Sequence, residues 1–180
     1  LESRRPGVVV DSLGINGAKA HDALGLDEPH VVEQLRHRGS ALVIFAYGTN
    51  ECGDGTSPEE HERALVALAG RVQRAGGAAC LFLGPPDRAA RGEHGWVTMP
   101  KLEAIRAAQR RAAATAGCAF YDQLAAMGGP GTIHTWAGEP KPRARKDHVH
   151  LTRDGYALLA GALAGDLLAA YEAWAAASPR

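Results

Sequence analysis

The sequence predicts a three-layer α/β/α domain built on a mostly parallel sheet, and three observations carry that prediction. Short apolar runs of strand length alternate with longer stretches whose apolar residues recur at helical spacing, the pattern of parallel strands joined by crossover helices. With 180 residues, 46% hydrophobic and 22% charged, residues 1–180 suffice for one domain with a sizeable core. The run 41–47, Ala-Leu-Val-Ile-Phe-Ala-Tyr, is apolar throughout, as expected of a strand buried on both faces.

The elements follow in order. Val8, Val9 and Val10 form the first apolar run and the first expected strand. Residues 31–37 offer a short helix, and 41–47 the second strand. Ser57-Pro58-Glu59-Glu60 is a capping box with proline at the first helical position, and Leu65, Leu68 and Val72 continue that helix on one face until Gly76-Gly77 ends it. Residues 78–83 make the third strand, which stops at Gly84-Pro85-Pro86-Asp87, and a polar loop leads to Pro100. Leu102, Ile105, Ala108 and Ala112 stripe the next helix, and Gly117 closes it. Residues 118–121 are the last strand, followed by a long Gly/Pro-rich loop over 128–146. Thr152 caps a final helix in which Tyr156, Leu159, Leu163, Leu167 and Trp174 recur at helical intervals.

Composition excludes several classes of partner. Lys+Arg 20 balances Asp+Glu 20, and the basic residues are scattered apart from a short run over 141–146, so no field is set up to hold nucleic acid. Residues 158–177 are interrupted by Asp166, Tyr171 and Glu172, which leads to the expectation of no membrane span and a soluble molecule. Cys52, Cys80 and Cys118 cannot all pair within one chain and show no metal-clip spacing; Cys80 and Cys118 read as small buried hydrophobes. The stretch 1–5 has no signal-peptide pattern and runs straight into the first strand, an entry expected of a mature product, a trimmed one or a fragment.

In an open parallel sheet, ligands sit beyond the carboxyl ends of the strands. The loops 11–17, 48–51 and 84–87 share that rim, and the long loop before the last helix can bring Asp147 and His150 to it. Asp147-His148-Val149-His150 puts a carboxylate three residues before an imidazole, where it can fix the tautomer of a general base. Gly48-Thr49-Asn50-Glu51 follows the apolar run and places an amide donor at a strand end, suited to a developing oxyanion. Taken alone, Gly-Thr-Asn is an ordinary turn and His150 a surface residue. Their common order and rim give them a joint meaning. His148 and His150 also form a His-x-His pair, but among Asp87, His94 and His134 there is no well-spaced third ligand, so no metal is expected.

These blocks resemble those of the SGNH (GDSL-like) hydrolases over nearly the whole chain. Gly48-Thr49-Asn50 matches the family's asparagine block, with Glu51 where aspartate is more usual, and Asp147-His148-Val149-His150 matches its last block. Ser12-Leu13-Gly14-Ile15-Asn16-Gly17-Ala18 fits the glycine block. The texture around Gly14-Ile15-Asn16-Gly17 and Gly128-Gly129 is similar to the branch of carbohydrate and peptidoglycan O-acetyl esterases. The resemblance implies a flavodoxin-like strand order and a serine ester hydrolase without cofactor, acting on a small acyl ester such as an acetylated saccharide, in a secreted or periplasmic setting. His150 would act as general base, Asp147 would orient it, and the Gly17 N–H and Asn50 amide would form the oxyanion hole.

The resemblance also implies a nucleophile that the chain does not show plainly. Val8-Val9-Val10-Asp11-Ser12-Leu13 has the shape of the family's first block, yet no glycine precedes Asp11, and the interval from Ser12 to Asn50 is too short for the elements the family places there. The interval from Gly17 to Asn50 suits one helix and one strand. The expectation is therefore that the sheet's central strand, with Gly-Asp-Ser, belongs to an upstream segment, with Ser12 the lesser candidate. Trp96 and Trp136 are candidates for a saccharide groove or for plain core. Two rival readings are a silent domain that binds carbohydrate or serves assembly, and a flavodoxin-like nucleotide binder, which the absence of a Gly-rich phosphate loop disfavours.

Overall fold

The computed structural model describes residues 7–177, so the stretch 1–5 lies outside the described residues. Two short helices, α1 (Ala20–Leu24) and α2 (Glu28–Arg38), precede strand β1 (Leu42–Phe45). A 3-10 turn (Glu51–Gly53), helix α3 (Pro58–Ala75) and strand β2 (Ala79–Leu83) follow. A hairpin of β3 (Ala89–Gly92) and β4 (Gly95–Thr98) leads to α4 (Leu102–Ala116) and β5 (Ala119–Tyr121). Then come α5 (Gln123–Met127), α6 (Thr132–Ala137) and the long α7 (Arg153–Ala177).

The sheet is parallel, with order β1-β2-β5. Side chains alternate across it, so residues two apart share a face. Val43, Phe45, Cys80, Phe82 and Phe120 point to one face, into a core closed by Leu65, Leu68 and Val72 of α3, Ala112 and Ala116 of α4, and Ala20 of α1. The Ser57 capping box forms as read: its hydroxyl accepts from the Glu60 N–H, and the Glu60 carboxylate accepts from the Ser57 N–H. Tyr121 points to the opposite face, where its hydroxyl donates to Asp166 at 3.0 Å and fastens α7 there. Helix, sheet and helix give the three layers.

Several sequence expectations change. Val8, Val9 and Val10 form no strand: they are irregular and exposed, Val8 at 89%. Strand conformation is sustained by ladder partners, and no described strand lies beside them. The same open space explains β1, which pairs on one side only and leaves Leu42 and Ile44 about 40% exposed (40% and 43%) rather than buried on both faces. Cys80 and Cys118 are joined in a disulfide with Cα atoms 4.9 Å apart, not free hydrophobes. The register that sets Leu81 opposite Ala119 makes the two cysteines cross-strand neighbours. The polar loop before Pro100 contains the β3-β4 hairpin, and the long loop over 128–146 contains α6.

Helix α7 is also more apolar than expected. By length and composition alone it could cross a membrane, because Asp166 and Glu172 are too few to break a helix of 25 residues. Its first turns are nonetheless held in the protein core: Gly155 and Leu159 are buried, Leu159 against Met127, Trp136 and Leu151. Further along, Leu168, Tyr171 and Trp174 are exposed. The entry to α7 admits no side chain at position 155, where a Cβ would stand 2.0 Å from the Arg143 carbonyl oxygen. Gly155→Ala is expected to cost about 2 kcal/mol by overpacking, read as a lower urea midpoint at unchanged slope; an unchanged midpoint would show that the loop yields freely.

Candidate active site

Three loops, 15–18, 48–51 and 147–150, carry the candidate residues. In the first, Ile15 to Ala18 close a turn through the Ala18 N–H and Ile15 carbonyl, and Gly17 takes φ +77° at its third position, where glycine is favoured. The Gly17 N–H has no protein acceptor among the described residues. Asn50 follows β1 and is tied to this turn: its amide donates to the Ala18 carbonyl at 3.0 Å. A carboxamide has two N–H donors, so one orients the group and the second is available to an acceptor.

Glu51 lies beneath both loops and is fully buried. One carboxylate oxygen accepts from the Ala20 N–H at 2.8 Å, the other from the Gly48 N–H at 2.9 Å. Buried His61 brings Nδ1 to 3.2 Å from the first oxygen, at ion-pair distance though outside hydrogen-bond geometry. Burial pushes the Glu51 carboxyl up, but His61 and the backbone donors outweigh it and hold it below the usual range.

In the third loop, His150 Nδ1 stands 2.9 Å from Asp147 Oδ2. Asp147 Oδ1 also accepts from the backbone N–H groups of Val149 and His150, both at 2.9 Å. Burial pushes this carboxyl up; the two amides and the imidazole overcome that and bring it to about 2. An ionised Asp147 facing Nδ1 keeps the proton on that nitrogen and leaves Nε2 as the acceptor, the arrangement of a general base. His150 remains well exposed, its side chain at 58%. The Arg145 N–H donates to the His150 carbonyl, which fixes the backbone of the loop.

Arg88 and Ala89 bridge the Asn50 loop and the His150 loop. The Arg88 guanidinium donates to the Thr49 carbonyl at 2.6 Å, and the Ala89 N–H donates to the His148 carbonyl at 2.9 Å. The Gly17 and Asn50 loops are thus locked together, Asp147 and His150 form a pair, and one dipeptide connects the halves. Ser12 lies in the exposed irregular stretch, and among the described residues no hydrogen bond joins it to His150 or Asp147.

Sequence reasoning missed the support under His148. This residue is buried and sits at φ +56°, its ring stacked 3.7 Å from that of Trp96 and its Nε2 3.0 Å from His134 Nδ1. The His-x-His pair is therefore split, His148 facing His134 while His150 faces Asp147, and among the described residues no three ligating side chains cluster. Trp136 is core, with Arg143 over its ring. Trp96 has His148 on its ring and Arg91 nearby at 5.0 Å. Fully buried Asp87 accepts from the Thr98 hydroxyl and the Ile133 N–H and so anchors the hairpin under the site. Cys52 is no substitute nucleophile: burial pushes its thiol up to about 12.

The parallel sheet and its helices thus carry Asn50 and the Asp147-His150 pair on loops that Arg88 and Ala89 link. The chain belongs to the GDSL-like lipase/acylhydrolase family, whose model matches residues 1–158. Among solved structures it is similar to a peptidoglycan O-acetylesterase, with TM-score 0.81 and 25% identity over 90% of this chain and 46% of that one. It also shares its fold with a lipase/acylhydrolase from Enterococcus faecalis, at TM-score 0.58 and 14% identity over 84% of this chain and 71% of that one. A further match is an acetylxylan esterase from Geobacillus stearothermophilus, at TM-score 0.59 and 16% identity over 82% of this chain and 66% of that one. The chain thus spans less than half the length of the peptidoglycan O-acetylesterase. Among curated proteins there is no significant match.

Proposed function

We propose that residues 1–180 form part of a serine esterase that removes small acyl groups, acetyl above all, from a saccharide. A serine Oγ attacks the ester carbonyl while His150 Nε2 takes its proton. The tetrahedral oxyanion accepts from the Gly17 N–H, the Asn50 amide and the serine's own N–H. Collapse expels the alcohol, which receives the proton from the imidazolium, and water repeats the sequence on the acyl-serine to release the acid. Asp147 holds the imidazole throughout. No organic cofactor or metal enters these steps.

The observation that carries this reading is the Asp147-His150 pair, whose carboxylate takes three hydrogen bonds at 2.9 Å and is thereby kept ionised. The similarity to a peptidoglycan O-acetylesterase at 25% identity supports an acetylated polysaccharide as substrate. The serine comes from a further segment of the same protein, whose strand pairs with the open edge of β1 and covers Leu42, Ile44 and the apolar side of α7. The exposure of those side chains supports this completion of the sheet.

A second reading has its own support. With no serine bonded to His150 among the described residues, the domain would be silent and would bind saccharide or serve assembly. Acetate release from an O-acetylated glycan, and p-nitrophenol release from its acetate ester, separate the two. The full-length protein is expected to turn over both. Glycan binding without acetate release would favour the silent domain.

A further inference from the structure

The chemistry proposed above uses Gly17 and Asn50 on two separate loops but leaves unexplained why a carboxylate is buried beneath them. Glu51 is fully buried, as is His61 at 1% exposure, and a buried charge is retained only when it is well partnered. Its partners are specific. One oxygen binds the N–H of Ala20, three residues after Gly17; the other binds the N–H of Gly48, two residues before Asn50. Other links between these loops are the Asn50 amide on the Ala18 carbonyl and the salt bridge of Lys19 to Asp54 at 3.1 Å, and the latter is solvent-exposed. The Glu51 carboxylate is thus the buried staple that sets the spacing of one loop from the other.

We infer that Glu51 is a positioning residue for the oxyanion hole, a single carboxylate that holds the Gly17 and Asn50 donors at the separation one tetrahedral oxygen requires. The inference rests on the esterase reading and adds to it a residue that touches neither substrate nor serine. Oxyanion donors act through geometry, and a displacement of about 1 Å can cost about a hundredfold in rate. A glutamine at 51 offers one acceptor oxygen and one NH2. Whichever way it turns, the Ala20 N–H or the Gly48 N–H meets a donor, and one loop is released.

The test is a double-mutant cycle in the full-length protein with p-nitrophenyl acetate, measured well below each variant's melting temperature. Glu51→Gln is expected to lower kcat about 30-fold with KM within about threefold. Asn50→Ala alone is expected to lower kcat by about a hundredfold. In the Asn50→Ala background Glu51→Gln should cost only about threefold more, because one of the two donors whose separation it sets is already gone. If glutamine does not fold, Glu51→Asp, which keeps the charge but is shorter by a methylene, is read in the same cycle. Wild-type kcat with only a lower melting temperature, or full multiplicative losses in the cycle, would overturn the inference and assign Glu51 to stability alone. If Asn50→Ala itself leaves kcat intact, the esterase reading fails instead.

Discussion

Replacing His150 by alanine in the full-length protein is expected to lower kcat for ester hydrolysis by about a millionfold, and Asp147→Asn by about ten-thousandfold. The difference follows from the geometry. Without His150 no group takes the proton from the serine, and what survives is the oxyanion hole and substrate binding. With asparagine at 147 the imidazole keeps a partner, but an amide NH2 can face Nδ1 and stabilise the tautomer that carries its proton on Nε2, which cannot act as a base. KM should change little in either variant, since neither side chain is needed to hold the ground-state ester. The rate of p-nitrophenol release, measured beside the urea midpoint of each variant, separates slow chemistry from misfolding. Activity within tenfold of wild type in His150→Ala would remove the imidazole from the mechanism.

Asp147 also gives an acid signature with a definite sign. Its folded-state value of about 2 lies below the ordinary carboxylate value. The stabilisation this brings is complete above the unfolded value and is lost as pH falls through the folded one. Because the carboxylate is nearly half exposed, solvent screens the effect and the loss is small. The acid loss of stability between about pH 4 and 2 should be slightly shallower in Asp147→Asn.

The parts of the fold legible in the sequence are those whose signals are local. The capping box at Ser57, the stripes of Leu65, Leu68 and Val72 and of Ile105, Ala108 and Ala112, and the apolar run into Gly48 all state their conformation within a few residues. Val8, Val9 and Val10 have the composition of a strand, but a strand is a property of a pair, and no described neighbour sustains it. The hairpin fails in the opposite direction. Ala89, Ala90, Arg91 and Gly92 have weak strand character, yet distant groups hold the hairpin: the His148 carbonyl accepts from the Ala89 N–H, the His148 ring stacks on Trp96, and the Ile133 N–H binds the Asp87 carboxylate that also takes the Thr98 hydroxyl. The Asp147-His150 pair was readable because its partners are three residues apart. The Glu51-His61 contact was not, since burial, and not spacing, makes it meaningful.

Loss of the Cys80-Cys118 bridge is expected to lower stability by about 4 kcal/mol, the loop-closure value for a separation of 38 residues. The bridge ties β5, a strand of only three residues at the sheet's edge, to β2, and it does so inside the core shared with α3 and α4. Beyond β5 lies Tyr121, whose hydroxyl holds Asp166 of α7. Fraying of β5 would therefore loosen the helix whose entry carries the Asp147-His150 loop. The Cys80→Ser, Cys118→Ser double variant should unfold at lower urea concentration than the oxidised protein, and wild type in reductant should move to meet it. Steady-state turnover of the folded variant should fall by less than its stability implies, because the bridge touches none of the reacting groups. Bridges of this kind persist in oxidising compartments and are rare in most cytosols. Equal urea midpoints for oxidised and reduced protein would show that β5 is held by its ladder and the aromatic packing of Phe120 alone.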